Sequence, residues 1–194
     1  MYELLIENIR SKVAISEAEE EQLKKYFIPK KYRKRQYLLN GGDICKYFSF
    51  VVDGLIRSFT VDDKGHEHVV QFAAEGWWVS DMGSFLEETE AMYHIEAIED
   101  VEVLNLTKPA MEEMLNELPV MERYFRILMQ KNIVTLQQRV VADHSLTAEE
   151  KYLRLMEIYP KLIHRAPQQQ VASYLGITPE TLSRIRKQVA EKGD

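Results

Sequence analysis

The chain has 194 residues, is 45% hydrophobic, and carries one cysteine and 31 acidic against 25 basic residues, a net charge of −6. That is enough apolar material for one sizeable core and a smaller second one, which excludes a disordered or fibrous chain. The lone Cys45 excludes, within one chain, a disulfide, a thiolate zinc site and a four-cysteine iron–sulfur cluster. The N-terminal stretch mixes acids into a short apolar run without a basic leader, and no segment has the apolar length a bilayer requires. The expectation is a soluble, unexported protein of the reducing cytoplasm with no membrane partner.

Residues 1–28 read as helical, with Ser16-Glu-Ala-Glu19 forming a capping box. The pattern then changes. Turn signals recur around Gly42, Gly54, Gly65 and Gly76, and strand-like runs lie between them at 47–52, 55–61 and 68–72. Two further strands are expected within 94–106. Short strands at this spacing predict an antiparallel barrel or sandwich.

From Thr107 the apolar period becomes helical. Pro119 opens a run, 120–143, free of Pro and Gly, with apolar residues at Met121, Phe125, Leu128, Leu136 and Val140 and polar Asn132 interrupting the series. A narrow stripe on so long a helix suits a partner helix, and these six residues are the expected dimer seam. A core helix of one larger domain is the alternative. Thr147-Ala-Glu-Glu150 is a second capping box, and the helix it opens stops before Pro160. A short linker, 161–167, follows.

Charge is unevenly spread. Residues 144–194 hold eight Lys/Arg and six Asp/Glu, a balance of +2 that leaves −8 on the rest of the chain. Within 161–190 there are five bases and one acid. In this region, 168–187 reads as helix, tight turn, helix. Val171, Ala172 and Leu175 share an apolar face, Gly176 supplies a left-handed stop, Ile177 plugs the angle, Thr178 caps and Pro179 starts the second helix. Leu182, Ile185 and Val189 fall on one side of that helix, and Glu180, Arg184 and Lys187 on the other. Arg184 can donate twice to guanine and Glu180 can accept from cytosine N4, so this pair is expected to read bases in the major groove of double-stranded DNA. Thr178, Ser183, Arg186 and Lys187 suit phosphate contacts. The plainer alternative is an amphipathic hairpin whose Glu180 and Arg184 pair with each other in solvent.

The segment 179–184, Pro-Glu-Thr-Leu-Ser-Arg, is similar to the Arg-Glu-Thr-Val-x-Arg pattern in the recognition helix of the cyclic AMP receptor protein and FNR (Crp/Fnr) family of bacterial regulators. The chain resembles this family over most of its length. The resemblance implies an α+β fold: an N-terminal antiparallel β-roll of the cyclic-nucleotide-binding, double-stranded β-helix kind (1–118), a long dimerisation helix (119–143) and an all-α helix-turn-helix domain (144–194). It also implies a homodimeric transcription regulator that works with RNA polymerase. Pro179 replaces the family's first arginine, and no β-hairpin wing is expected after the recognition helix. The family's ribose-holding pair falls on Ser80-Asp81 and its phosphate-holding pair near Ala91-Met92, with Thr135 where adenine contacts arise. No arginine stands there, so cyclic AMP is not expected to bind tightly and no cofactor is expected. Trp78, with Trp77 and Met92, is the candidate lining for an apolar molecule in the same pocket, or simply core.

Two other function classes remain open from the residues. His66-Glu-His68 sets two imidazoles on one face of a strand, as in a cupin-like metalloenzyme, with His94 as a third ligand, although the expected downstream carboxylate is replaced by Phe72 and Ala73. The terminal hairpin could also dock a protein, making the chain a ligand-sensing or scaffolding dimer.

Overall fold

The computed structural model describes residues 1–192; the last two residues of the expected 144–194 domain lie outside the described residues. The fold is α+β. In chain order it runs α1 (Glu3–Arg10), α2 (Glu17–Leu23), β1 (Phe27–Tyr32), β2 (Tyr37–Leu39), β3 (Phe48–Asp53), β4 (Ile56–Val61), β5 (Glu67–Ala73), β6 (Trp78–Val79), α3 (Met82–Glu87), β7 (His94–Ala97) and β8 (Val101–Leu106). Helices α4 (Lys108–Glu117), α5 (Pro119–Ser145), α6 (Ala148–Ile158), α7 (Leu162–Arg165), α8 (Gln168–Leu175) and α9 (Pro179–Lys192) complete the described chain.

The strands form two four-stranded sheets, ordered β1-β8-β3-β6 and β2-β7-β4-β5, with antiparallel pairing throughout the described registers. The turn glycines 42, 54, 65 and 76 all take positive φ, which side chains bearing a Cβ rarely adopt. Gly54 is the most constrained of them, since a Cβ there would meet the Asp100 carbonyl at 2.5 Å. Both capping boxes form, at Ser16 with Glu19 and at Thr147 with Glu150.

Two sequence expectations need correction, and one element had no counterpart among them. The N-terminal helical region ends before residue 27, where β1 begins; its Pro29 and paired lysines hide the strand pattern and suit its place at a sheet edge. Segment 161–167 is not a plain linker, because it contains the short helix α7. The α3 turn, within a stretch assigned to the pocket, was likewise not expected as a helix.

The chain divides into two compact units, Met1–Thr60 with Phe72–Lys131, and Val61–Gln71 with Asn132–Asp194. The boundary therefore falls inside α5 and inside the β4–β5 hairpin. In the first unit the core gathers Phe50, Ile56, Leu104, Leu106, Met114, Met121 and Tyr124, all essentially inaccessible. Trp78 lies in the same core, with ring centroids 4.4 Å from Phe48 and 5.3 Å from Phe50. Its indole N–H donates to the Tyr124 hydroxyl at 2.9 Å, which in turn donates to Asn8 at 2.8 Å. Burial pushes the Tyr124 phenol well above its usual pKa, so it stays neutral. In the second unit α6, α8 and α9 pack on one another around Tyr152, Leu155, Val171, Ala172, Leu175, Leu182 and Ile185.

Candidate nucleic-acid interface

The helix-turn-helix is built locally by its own sequence. Gly176 ends α8 at φ 68°, and its N–H and that of Ile177 return to Ser173 and Ala172 carbonyls at 3.1 and 3.0 Å. The Thr178 hydroxyl accepts from the Thr181 N–H at 3.2 Å and so satisfies one free donor at the start of α9. The Gln168 amide donates to the Pro179 carbonyl at 3.2 Å, tying the start of one helix to the start of the next. Leu182 and Ile185 are buried, and on the other side of α9 Glu180, Ser183, Arg184 and Lys187 are exposed.

Among the described residues Glu180 and Arg184 are not ion-paired with each other, so both heads face solvent. The Glu180 carboxyl is held below the usual carboxylate range, first by its own backbone N–H and then by the Thr178 hydroxyl, which keeps it ionised at neutral pH. Lys187 lies 3.9 Å from Glu191 on the exposed surface, a loose pair that competes little with a phosphate. Of the remaining expected phosphate contacts, Ser183 is exposed, Thr178 is exposed but uses its hydroxyl as the cap, and Arg186 is half-buried.

A support for α8 was missed by sequence reasoning. The Ser173 hydroxyl donates to the Glu67 carbonyl at 2.9 Å and accepts from the Val69 N–H at 3.0 Å, in the manner of a strand partner for β5. Arg139 of α5 lies over the Tyr174 ring at 4.4 Å and donates to the Val70 carbonyl. Nothing in the local pattern of α8 marks Ser173, because its partners come from a hairpin about a hundred residues upstream.

That hairpin also holds the two histidines considered as metal ligands. His66 Nδ1 and His68 Nε2 both lie against Asp62 Oδ2, at 3.2 and 3.1 Å. Asp62 is held far below the usual carboxylate range, most strongly by the His66 backbone N–H and next by the His68 ring. His94 is engaged elsewhere, stacked on Phe59 with centroids 5.0 Å apart and accepting from the Gly41 N–H. Among the described residues no cluster of three His, Cys, Asp or Glu side chains could hold a metal ion.

Of the residues assigned to a ligand pocket, Asp81 and Met92 meet, through a backbone hydrogen bond, and the others have separate surroundings. Trp78 is a core residue, its ring packed against Phe27, Phe48, Phe50 and Phe125. Ser80 donates to the Tyr47 carbonyl, Ala91 is buried and Met92 is exposed. Asp81 is buried, with its carboxylate on the backbone N–H groups of Ser84, Met92 and Tyr93. Thr135 belongs to the second unit and is exposed. A cavity of about 460 Å³ does exist in the first unit, but Leu38, Leu39, Cys45, Ser49, Val79 and Ile95 are among its walls, none of them foreseen.

The six expected seam residues of α5 also separate. Met121 and Phe125 are buried in the first unit's own core, and Leu128 is half-buried against it. Asn132, Leu136 and Val140 are exposed, together with Ile133, Val134 and Val141.

Residues 29–117 match the family described as Cyclic nucleotide-binding domain. The chain is 23% identical to an Anaerobic regulatory protein of Haemophilus influenzae, over 88% of this chain and 70% of that one. It is 25% identical to a Fumarate and nitrate reduction regulatory protein of Yersinia pestis, over 88% of this chain and 72% of that one. Among solved structures, the c-di-GMP responsive global regulator CLP of Xanthomonas campestris shares the fold at a TM-score of 0.72 and 16% identity, over 92% of this chain and 93% of that one. FixK2 of Bradyrhizobium japonicum shares it at 0.71 and 18% identity, over 86% of each chain.

Proposed function

We propose that the chain is a transcription regulator of the Crp/Fnr type and that it works as a homodimer whose α9 helices read the two halves of an operator. It is a DNA-binding regulator and not an enzyme. The observation that carries the proposal is the outer face of α9: Glu180 and Arg184 stand exposed one helical turn apart, while Leu182 and Ile185 anchor the opposite face. Arg184 would read a guanine and Glu180 a neighbouring cytosine. Ser183, Lys187 and, in secondary roles, Thr178 and Arg186 would hold phosphates. In this reading the protein works in the cytoplasm, where RNA polymerase is its second macromolecular partner.

The family match raises the question of a cyclic nucleotide, and the residues do not fit one. Segment 80–93 contains Asp81, Glu87, Glu88 and Glu90 and neither Lys nor Arg. A cyclic phosphate would meet repulsion there without a guanidinium to pair with. The regulator is therefore proposed to act independently of cyclic AMP.

Selecting bound DNA from a random pool supplies the operator and the first test. A palindrome with half-sites about one helical turn apart is expected. On that operator, Arg184→Ala should cost about 1–3 kcal/mol and relax the requirement at one base pair per half-site, whereas Lys187→Ala should weaken all sequences alike and lower the salt dependence by about one unit. Unchanged affinity and specificity in Arg184→Ala would remove the base reader from the proposal and favour a hairpin that docks a protein.

A further inference from the structure

Three elements of the second unit, β5, α8 and the second half of α5, are tied to one another in a closed triangle. The Ser173 hydroxyl joins α8 to β5, donating to the Glu67 carbonyl at 2.9 Å and accepting from the Val69 N–H at 3.0 Å. Arg139 of α5 makes the other two sides. Its guanidinium donates to the Val70 carbonyl of β5 and lies 4.4 Å above the Tyr174 ring of α8.

Arg139 stands apart on its own helix. From Lys131 to Val141 every residue of α5 is exposed except Arg139, which is half-buried. Asp143, one turn on, holds the guanidinium from the same helix, with Oδ2 3.9 Å from Nε. Two contacts from α6 to α5 lie at the surface: Arg154 donates to Gln138 Oε1 at 3.2 Å, and Lys151 is 3.4 Å from Asp143 Oδ1. Long exposed side chains paired in this way hold a geometry only loosely.

In the sequence Arg139 falls between Leu136 and Val140, two exposed residues of the expected dimer seam. A homodimer built on this helix places its two α9 helices at a separation set by whatever fastens α8 to α5, because α9 packs on α8. We propose that Arg139 is a positioning residue that sets the half-site spacing of the operator: with Ser173 and the β5 brace it holds α8, and α9 with it, in one pose on the dimer helix. Arg139 touches no base in this reading, and Glu180 and Arg184 still choose the bases. The inference rests on the homodimer proposed above. Two rigidly linked reading heads engage both half-sites only at the matching separation, whereas loosely linked heads tolerate several.

The test varies the selected operator by inserting or deleting one or two base pairs between its half-sites. Binding is measured with the full chain as wild type, Arg139→Met and Ser173→Ala, each below its own melting temperature. Each inserted pair turns one half-site by about 35° around the DNA axis, so the wild type should lose about tenfold or more in affinity at two inserted pairs. Arg139→Met should bind the original operator roughly tenfold more weakly, because the pose must now be selected on binding. Across the spacing series its affinity should stay within about threefold. Ser173→Ala opens one side of the triangle and should fall between the two. Base preferences inside each half-site should be the same in all three proteins. Equal weakening of Arg139→Met at every spacing would overturn the proposal and leave Arg139 a stabilising contact only. Circular dichroism and sedimentation equilibrium accompany the series. If Arg139→Met fails to fold or to dimerise, Ser173→Ala carries the test, and a wild-type spacing profile in that variant overturns the proposal. A wild type that binds a two-half operator yet ignores its spacing overturns this inference alone, whereas a selected site with a single half overturns the homodimer reading and this inference with it.

Discussion

At the scale of single residues, the positions whose role is fixed by near neighbours were legible in the sequence. Gly176, Thr178, Glu19 and Glu150 do what their local motifs demand. Charged residues on strands were not, because their surroundings come from other strands. Arg57 and Glu96 are the clearest case: cross-strand partners in β4 and β7, both buried, with nitrogen to Glu96 Oε2 distances of 2.5 and 2.7 Å and the guanidinium 4.0 Å above the Phe59 ring. Removing Glu96 takes the carboxylate from a buried guanidinium, so Glu96→Ala is expected to cost about 3–5 kcal/mol in urea unfolding. A loss below about 1 kcal/mol would mean that Arg57 finds water or another acceptor without rearranging the sheet. Asp81 was singled out as a pocket residue, but its backbone partners were not legible, since two of its three donors lie 11 and 12 residues further on.

At the scale of elements, the period of the apolar residues located the central strands and the long helix but not the faces that matter. β1 carries Pro29 and two lysines at a sheet edge, and β2 is three residues long, so neither shows an alternating pattern. Along α5 one continuous stripe was read where the molecule makes two. Its first half fills the chain's own core, and its second half leaves Ile133, Leu136 and Val140 exposed at three- and four-residue spacing. Two-stranded coiled coils use that spacing, and in the homodimer proposed above these residues would meet a second copy of the same helix. Leu136→Glu with Val140→Glu should therefore shift the protein to monomer in sedimentation equilibrium and weaken operator binding at least tenfold, with the helical circular dichroism largely kept. A dimer that persists at low micromolar concentration in the double variant would move the interface off this helix.

At the scale of the whole molecule, acid should undo the fold through its carboxylates. Glu19, Glu150 and Glu180 all have folded-state pKa values below the ordinary 4.5, the first two through capping-box partners Ser16 and Thr147 and the third through its own N–H and Thr178. Because the unfolded chain binds protons first, their contribution is complete above pH 4.5 and disappears as the pH falls through the lower folded values. Equilibrium unfolding followed from pH 7 to pH 3 should show a plateau and then a decline, and a midpoint that rises on acidification would reverse the assigned sign. The hairpin contact adds a consequence in time. Ser173, which covers the Glu67 and Val69 backbone groups of β5, is synthesised 104 residues after Val69. At ribosomal speeds that interval is roughly 5–20 s. For that period a nascent chain carries an uncovered strand edge, the feature most apt to recruit a stranger's strand, and α8 is the element that closes it.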